Sequence, residues 1–260
     1  MADGRSRKPG DRRNQSRSTW SRNRAAPGSR RRPTESRSAD RAGPKHPPVH
    51  LSDEIVKELQ STARPGKGDI LVKLFSEAAG AFAAEDYPEA IRLGEQAKHI
   101  ALRAASVREL LGLAYYRAEQ WRDAARELSA FRRLSGSTEQ NPVIADCYRA
   151  TNKPEKALEL CDEIDVRSVD RAVAYEGHIV AAGALTDMGR IDEAIARLEA
   201  LDLRPSTARE YHLRVWYVLG DLLEKKGRFT QAREWFEAVA GADPDLTDAS
   251  ERAGRLRRRA

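Results

Sequence analysis

Apolar residues between positions 71 and 245 recur at intervals of three and four, which is the spacing of one face of an α-helix. The helical segments come in pairs, and a short polar stretch separates the two members of each pair. Helices with one apolar face must bury that face against other helices. The pattern therefore predicts an all-α fold built of helical hairpins.

The hairpins form an internal repeat. An alanine of the second helix recurs at intervals of 34, 33, 37 and 38 residues: Ala90, Ala124, Ala157, Ala194 and Ala232. Small residues in the first helices, such as Gly112 and Gly220, would let the two helices of a hairpin approach closely. We place five repeats at residues 71–104, 105–137, 138–174, 175–212 and 213–245. The two longer intervals predict loops or longer helices near residues 165–174 and 202–212.

The fifth repeat has the most complete set of characteristic residues: Trp216, Leu219, Gly220, Leu223, Gly227, Phe229, Ala232, Phe236 and Pro244. This pattern resembles the tetratricopeptide repeat, a helix–turn–helix unit of about 34 residues. The resemblance covers residues 71–245 and implies a solenoid of about five stacked hairpins, whose first helices line a concave groove. The whole arrangement is also similar to small repeat proteins of actinobacteria, a likeness that implies no activity.

The segments that flank the repeats have different compositions. Residues 1–48 are rich in Ser, Arg, Gly and Pro, and Trp20 is their only aromatic residue, so we expect a disordered basic tail. Residues 49–70 predict an N-terminal helix, with Ser52 as its N-cap, and a linker. Residues 246–260 predict a capping helix with an arginine-rich end, because a solenoid needs ends that tolerate water.

Charge is segregated along the chain. Residues 1–50 hold 14 Lys and Arg against 4 Asp and Glu, whereas residues 51–251 hold 27 against 36. Six tail residues resemble a flexible nucleic-acid arm, since arginines release counterions and an indole stacks on a base: Arg12, Arg13, Trp20, Arg30, Arg31 and Arg32. The other interpretation is a solubilising tail that meets RNA or other polyanions only weakly and without specificity.

No constellation of catalytic residues is evident. The five histidines show no metal-binding spacing, and Gly66–Gly68 lacks the remaining residues of a phosphate-binding loop. Cys147 and Cys161 are expected to be reduced and packed in the core. We therefore expect no enzymatic activity, no cofactor and no metal. No run of 18 apolar residues occurs, and the N-terminus has no secretory signal pattern, so we expect a cytoplasmic protein without a membrane span.

The resemblance implies that a partner contacts the polar and aromatic residues of the first helices that face the groove. These are Tyr116, Arg117, Asp146, Arg149, Thr186, Tyr217, Asp221 and Lys225. Ordinary solvated helix faces are the alternative for each of them. The Lys and Asn of the clamp that holds acidic chaperone tails are missing. The predicted function is a non-enzymatic scaffold or adapter that binds a protein or peptide. The alternative is an RNA- or ribosome-associated protein that binds through its arginine-rich ends.

Overall fold

The structure is a computed structural model and describes residues 45–258. These residues form twelve α-helices and no strand, which confirms the predicted all-α hairpin fold. The helices are α1 (Asp53–Thr62), α2 (Gly68–Ala83), α3 (Tyr87–Ile100), α4 (Ala105–Arg117), α5 (Trp121–Ser135), α6 (Asn141–Ala150), α7 (Pro154–Asp162), α8 (Arg171–Asp187), α9 (Ile191–Glu199), α10 (Glu210–Lys225), α11 (Phe229–Ala242) and α12 (Ala249–Arg257). Five hairpins follow one another, from α2–α3 to α10–α11.

Each hairpin turns through the same backbone device. The second residue after the first helix has a left-handed conformation, with φ between 58° and 78°, at Glu85, Glu119, Asn152, Gly189 and Gly227. The next amide donates to a carbonyl five residues back, for example from Arg190 to Leu185 at 2.8 Å. This is the Schellman arrangement that satisfies the last carbonyls of a helix. Five equivalent turns give the five hairpins the same short connection.

Small residues set the spacing within the hairpins. All five repeat alanines, from Ala90 to Ala232, are fully buried. A methyl group on Gly112 would lie 2.6 Å from Cγ of Leu128, and one on Gly220 would lie 2.9 Å from the ring of Phe236. Such distances are shorter than van der Waals contact, so only glycine allows these helices to pack as closely as they do.

The two longer repeats have both longer connections and longer first helices, since α8 has 17 residues and α10 has 16, against 13 in α4. Residues 163–170 join α7 to α8, and residues 200–209 join α9 to α10. The helix α8 begins at Arg171, so the region near residues 165–174 contains both alternatives of the prediction, a loop and then the start of a longer helix.

An extended N-terminal segment, residues 45–52, lies along α2. The amide of Val49 donates to the carbonyl of Ser76 at 3.2 Å, and the Ser76 hydroxyl donates back to the Val49 carbonyl at 2.6 Å. Lys45 and His46 both bond to the carboxylate of Asp86, the latter at 2.9 Å. The tail was predicted to be unstructured as far as residue 48; the contacts of Lys45 and His46 lie within its last residues.

Candidate functional site

The first helices of neighbouring hairpins are joined by a continuous polar chain. The hydroxyl of Tyr116 on α4 donates to Oδ2 of Asp146 on α6 at 2.8 Å. Oδ1 of the same carboxylate accepts from Arg149 at 3.1 Å, and Nε of Arg149 donates to Asp187 on α8 at 2.8 Å. We call the surface formed by α4, α6 and α8 around these four residues the first-helix face. Its continuity means that three hairpins present one surface.

The repeat explains how these residues come together. Tyr116 and Arg149 occupy equivalent places in their hairpins, 33 residues apart, and each reaches across to the next first helix. Tyr116 contacts Asp146 on the next first helix. At the equivalent place one repeat later, Arg149 lies against Gly183 on α8. A methyl group on Gly183 would lie 2.5 and 2.7 Å from two nitrogens of the guanidinium. Glycine at this position therefore makes room for the arginine.

Burial tunes the titratable groups on this surface. Desolvation raises the pKa of Tyr116, and the neighbouring Asp146 carboxylate raises it further. Desolvation also raises the pKa of Glu109, although an amide of Gln140 donates to it at 2.8 Å. Burial likewise raises the pKa of Glu176, which is paired with Arg214 on α10. Each of these polar groups offsets part of its desolvation cost through the contact with its own partner.

An apolar stripe runs beside the polar chain. Leu113, Val143 and Ile179 are half-buried. Each lies three or four residues along its helix from Gly183 or from a residue of the polar chain. Residues at that spacing share one face of a helix. Half-buried aliphatic side chains next to satisfied polar groups form a surface of mixed character, which suits a polypeptide ligand.

The helix α12 and the residue before it cover the first helix of the last hairpin. Arg252 of α12 donates to Asp221 at 2.9 Å and to Glu224 at 2.6 Å, and its guanidinium carbon lies 4.3 Å from the centre of the Phe236 ring. Tyr217 is only 6% exposed and donates to Asp248, which immediately precedes α12, at 2.7 Å. Burial works to raise the pKa of Asp221, but hydrogen bonds from Lys225 and Arg252 outweigh it and the pKa is lowered. Tyr217 and Asp221 are thus engaged by α12, and Lys225 is exposed beside them.

The remaining predicted residues have separate environments. Arg117 is exposed, and its Nε donates to the hydroxyl of Tyr87 at 3.0 Å. Thr186 donates to the carbonyl of Ala182 in its own helix at 2.8 Å. Both lie at the ends of first helices, next to the polar chain.

Two contributors were missed by the sequence analysis. Gly183 was not singled out because it is adjacent to the repeat's usual small residue, Ala182. Arg252 was treated as part of a basic end. It lies about one repeat length after α10 in the sequence, and that spacing indicates a contact with α10. Both would have followed from comparing equivalent positions of successive first helices.

The remaining groups that the sequence analysis considered lie away from the first-helix face or outside the described residues. The tail residues Arg12, Arg13, Trp20 and Arg30–Arg32 lie outside the described residues. Within residues 45–258, no group of three or more His, Cys, Asp or Glu side chains could hold a metal ion. No helix of that same part of the chain is long and apolar enough to cross a membrane. Burial raises the pKa of both Cys147 and Cys161 to about 12, so their thiols are unreactive in the folded state.

Comparison with known proteins identifies the repeat. Residues 180–247 match the family model of the tetratricopeptide repeat. The hairpins of this matched segment are tetratricopeptide repeats, and the earlier hairpins have the same helical-hairpin fold. No curated protein matches the sequence. Tetratricopeptide repeats in general are modules of protein–protein interaction.

Three solved structures share the fold. A protein of nearly identical TPR-like repeats from Podospora anserina has a TM-score of 0.56 and 18% identity, over 73% of this chain and 100% of that one. A thermophilic TPR protein of Thermus thermophilus has a TM-score of 0.53 and 16% identity, over 72% and 98%. MamA has a TM-score of 0.52 and 18% identity, over 64% and 94%. At these identities the likeness concerns the fold alone.

Proposed function

We propose that this protein is a non-enzymatic adapter that binds an extended or helical segment of a partner protein on the first-helix face. The observation that supports this most strongly is the polar chain from Tyr116 to Asp187, which fixes three first helices as one surface. The apolar stripe of Leu113, Val143 and Ile179 supplies partly exposed contact area beside it. A preorganised surface loses little entropy when it binds, so it is suited to recognition.

We assign different roles to the predicted residues according to the contacts that each makes. Tyr116 and Arg149 use their polar groups within the face, so they position the helices and offer a partner mainly ring and methylene surface. Tyr217 and Asp221 could meet a partner only after α12 had moved. Arg117 and Thr186 are the predicted residues of α4 and α8 best placed for direct contact on the first-helix face, because neither bridges two first helices.

Two pairs of substitutions test this proposal. Arg117→Glu with Thr186→Arg changes the first-helix face, whereas Arg133→Glu with Thr230→Arg makes the same chemical changes on the second helices α5 and α11. Partner proteins would be recovered by affinity purification from the source cells with the natural chain and both double variants. We expect the partner to be lost with the first pair and retained with the second. If the first double variant retains the partner, or if only the second double variant loses it, the first-helix face is not the binding site.

The alternative function, RNA binding, rests on the arginine-rich ends of the sequence. It is tested by deleting residues 1–48 and measuring RNA retention at low and at physiological salt. Binding through the tail predicts that the deletion abolishes retention, and that the affinity of the full chain falls steeply with salt. RNA retention that is insensitive to both changes would exclude it.

A further inference from the structure

A small cavity lies between the α9–α10 connection and the last hairpin, away from the first-helix face. Its volume is about 280 Å³. Its walls are apolar and come from Leu203, Pro205, Trp216, Trp235 and Ala238. Two charged side chains of opposite sign, Arg204 and Glu234, also line it, and both are exposed. The cavity therefore combines an apolar interior with a donor and an acceptor at its mouth.

The irregular connection builds this cavity. Nε1 of Trp216 donates to the carbonyl of Leu203 at 3.1 Å, which holds residues 203–205 against the last hairpin. The connection belongs to the longest repeat interval, 38 residues, so the residues in excess of the regular repeat form one wall. The equivalent connection between α3 and α4 has only four residues, 101–104, against ten here.

A series of aromatic rings ends at the cavity. Tyr175 and Tyr211 have ring centres 4.7 Å apart, and Tyr211 and His212 are 4.3 Å apart. Trp216 follows at 6.5 Å from His212, and Trp235 at 6.2 Å from Trp216. These spacings lie close to the range in which neighbouring rings attract each other. The open cavity adjoins the last two members of the series, so a further ring could continue it.

We propose that this cavity binds one aromatic side chain of a partner polypeptide. Pockets for drug-sized ligands have volumes of about 300–1,000 Å³, so this cavity suits a single large side chain. The two indoles favour a ring over an aliphatic chain, because edge-to-face contacts add to the gain from burial. The guanidinium of Arg204 and the carboxylate of Glu234 have the right chemistry to bind the carbonyl and amide that flank the anchored residue. This site is separate from the first-helix face and does not depend on binding there.

Nuclear magnetic resonance of the full chain tests this directly, since indole N–H signals report each tryptophan. The probe is a short Gly/Ser peptide with one central Phe, and the comparison peptides carry Leu or Pro at that place. We expect the Phe peptide to shift the signals of Trp216 and Trp235 at millimolar concentration, while the signal of Trp121 on α5 stays constant. The Leu and Pro peptides should bind roughly tenfold more weakly, the ratio that an aromatic pair contact supplies.

Two variants and a matched control complete the test. Ala238→Leu fills the cavity and should abolish the shifts, whereas Ala242→Leu adds the same atoms at an exposed position of the same helix and should leave them unchanged. Trp235→Leu removes one indole wall from a half-buried position and should weaken the Phe peptide more than the Leu peptide. The proposal is overturned if the Phe peptide shifts neither Trp216 nor Trp235, if Leu binds as tightly as Phe, or if Ala238→Leu binds like the natural chain.

Discussion

The contact between Gly183 and Arg149 predicts an unusual effect of a glycine-to-alanine change. In an exposed helix this change stabilises a protein by about 0.5–1 kcal/mol, because glycine has more backbone freedom to lose on folding. Gly241 on α11 is such a case, since a methyl group there meets nothing within 4 Å. At Gly183, by contrast, the new methyl group would lie 2.5 and 2.7 Å from guanidinium nitrogens of Arg149.

The magnitude follows from the bonds that Arg149 must give up. Its guanidinium is the mobile end of a side chain, so it can swing away and lose its bonds to Asp146 and Asp187. A hydrogen bond to a charged group contributes about 1.5–3 kcal/mol. The two carboxylates are 22% and 26% exposed, so solvent screening reduces the loss to about 1–3 kcal/mol for both bonds together. After the helix gain of about 0.5–1 kcal/mol is subtracted, Gly183→Ala should destabilise the protein by about 0–2.5 kcal/mol.

Urea unfolding followed by far-ultraviolet circular dichroism measures this effect. Gly183→Ala should lower the midpoint and Gly241→Ala should raise it, at equal slopes. In an Arg149→Ala background the clash is gone, so Gly183→Ala should then stabilise by about 0.5–1 kcal/mol, as at Gly241. If Gly183→Ala stabilises the natural chain as much as Gly241→Ala does, Arg149 does not occupy the place described here.

Three further predictions concern titratable groups. Hydrogen bonds from Lys45 and His46 lower the pKa of Asp86 from 3.8 to about 2. The ionised carboxylate therefore stabilises the fold above pH 3.8, and this stabilisation is lost as pH falls toward 2. In thermal unfolding, Asp86→Asn should be less stable than the natural chain near neutral pH and equally stable near pH 2. Burial raises the pKa of Glu109 above 4.5. The protonated carboxyl therefore favours the folded state at low pH, and this contribution to stability is lost as pH rises. Glu109→Gln should raise the melting temperature at neutral pH, and the difference from the natural chain should shrink below pH 4.5. An equal difference at both pH values would contradict either assignment. Cys147 and Cys161 should resist alkylation in the folded chain and react at the rate of free thiols in denaturant, and rapid alkylation without unfolding would show that they are not packed as described.

The fold could be predicted because the residues that determine packing within a hairpin recur at the same positions of every repeat. A helical period, a recurring alanine and a small facing residue are local signals, and five copies reinforce one another. The left-handed turns were less visible, since only Gly189 and Gly227 carry glycine. Glu85, Glu119 and Asn152 adopt the same conformation because the Schellman hydrogen bonds hold them there, at a cost of about 1–2 kcal/mol for a residue with a side chain.

The contacts between repeats were harder to predict than the repeats. Helical spacing shows that Tyr116 and Arg149 share a face with their neighbours, but not which side chain each meets on the next hairpin. Tyr217 was predicted to contact a partner, and the sequence alone did not reveal that Arg252 and Asp248 would reach it first. A contact of that kind depends on how α12 packs after the last repeat, which is a tertiary property.

Site-specific photo-crosslinking in the source cells tests the central claim most directly. A photoreactive amino acid would replace Arg117 or Thr186 on the first-helix face, and Arg133 or Thr230 on the second helices. If the first-helix face binds a partner, the same protein should crosslink from both 117 and 186 and from neither 133 nor 230. A partner that crosslinks only from 133 or 230 would contradict the account.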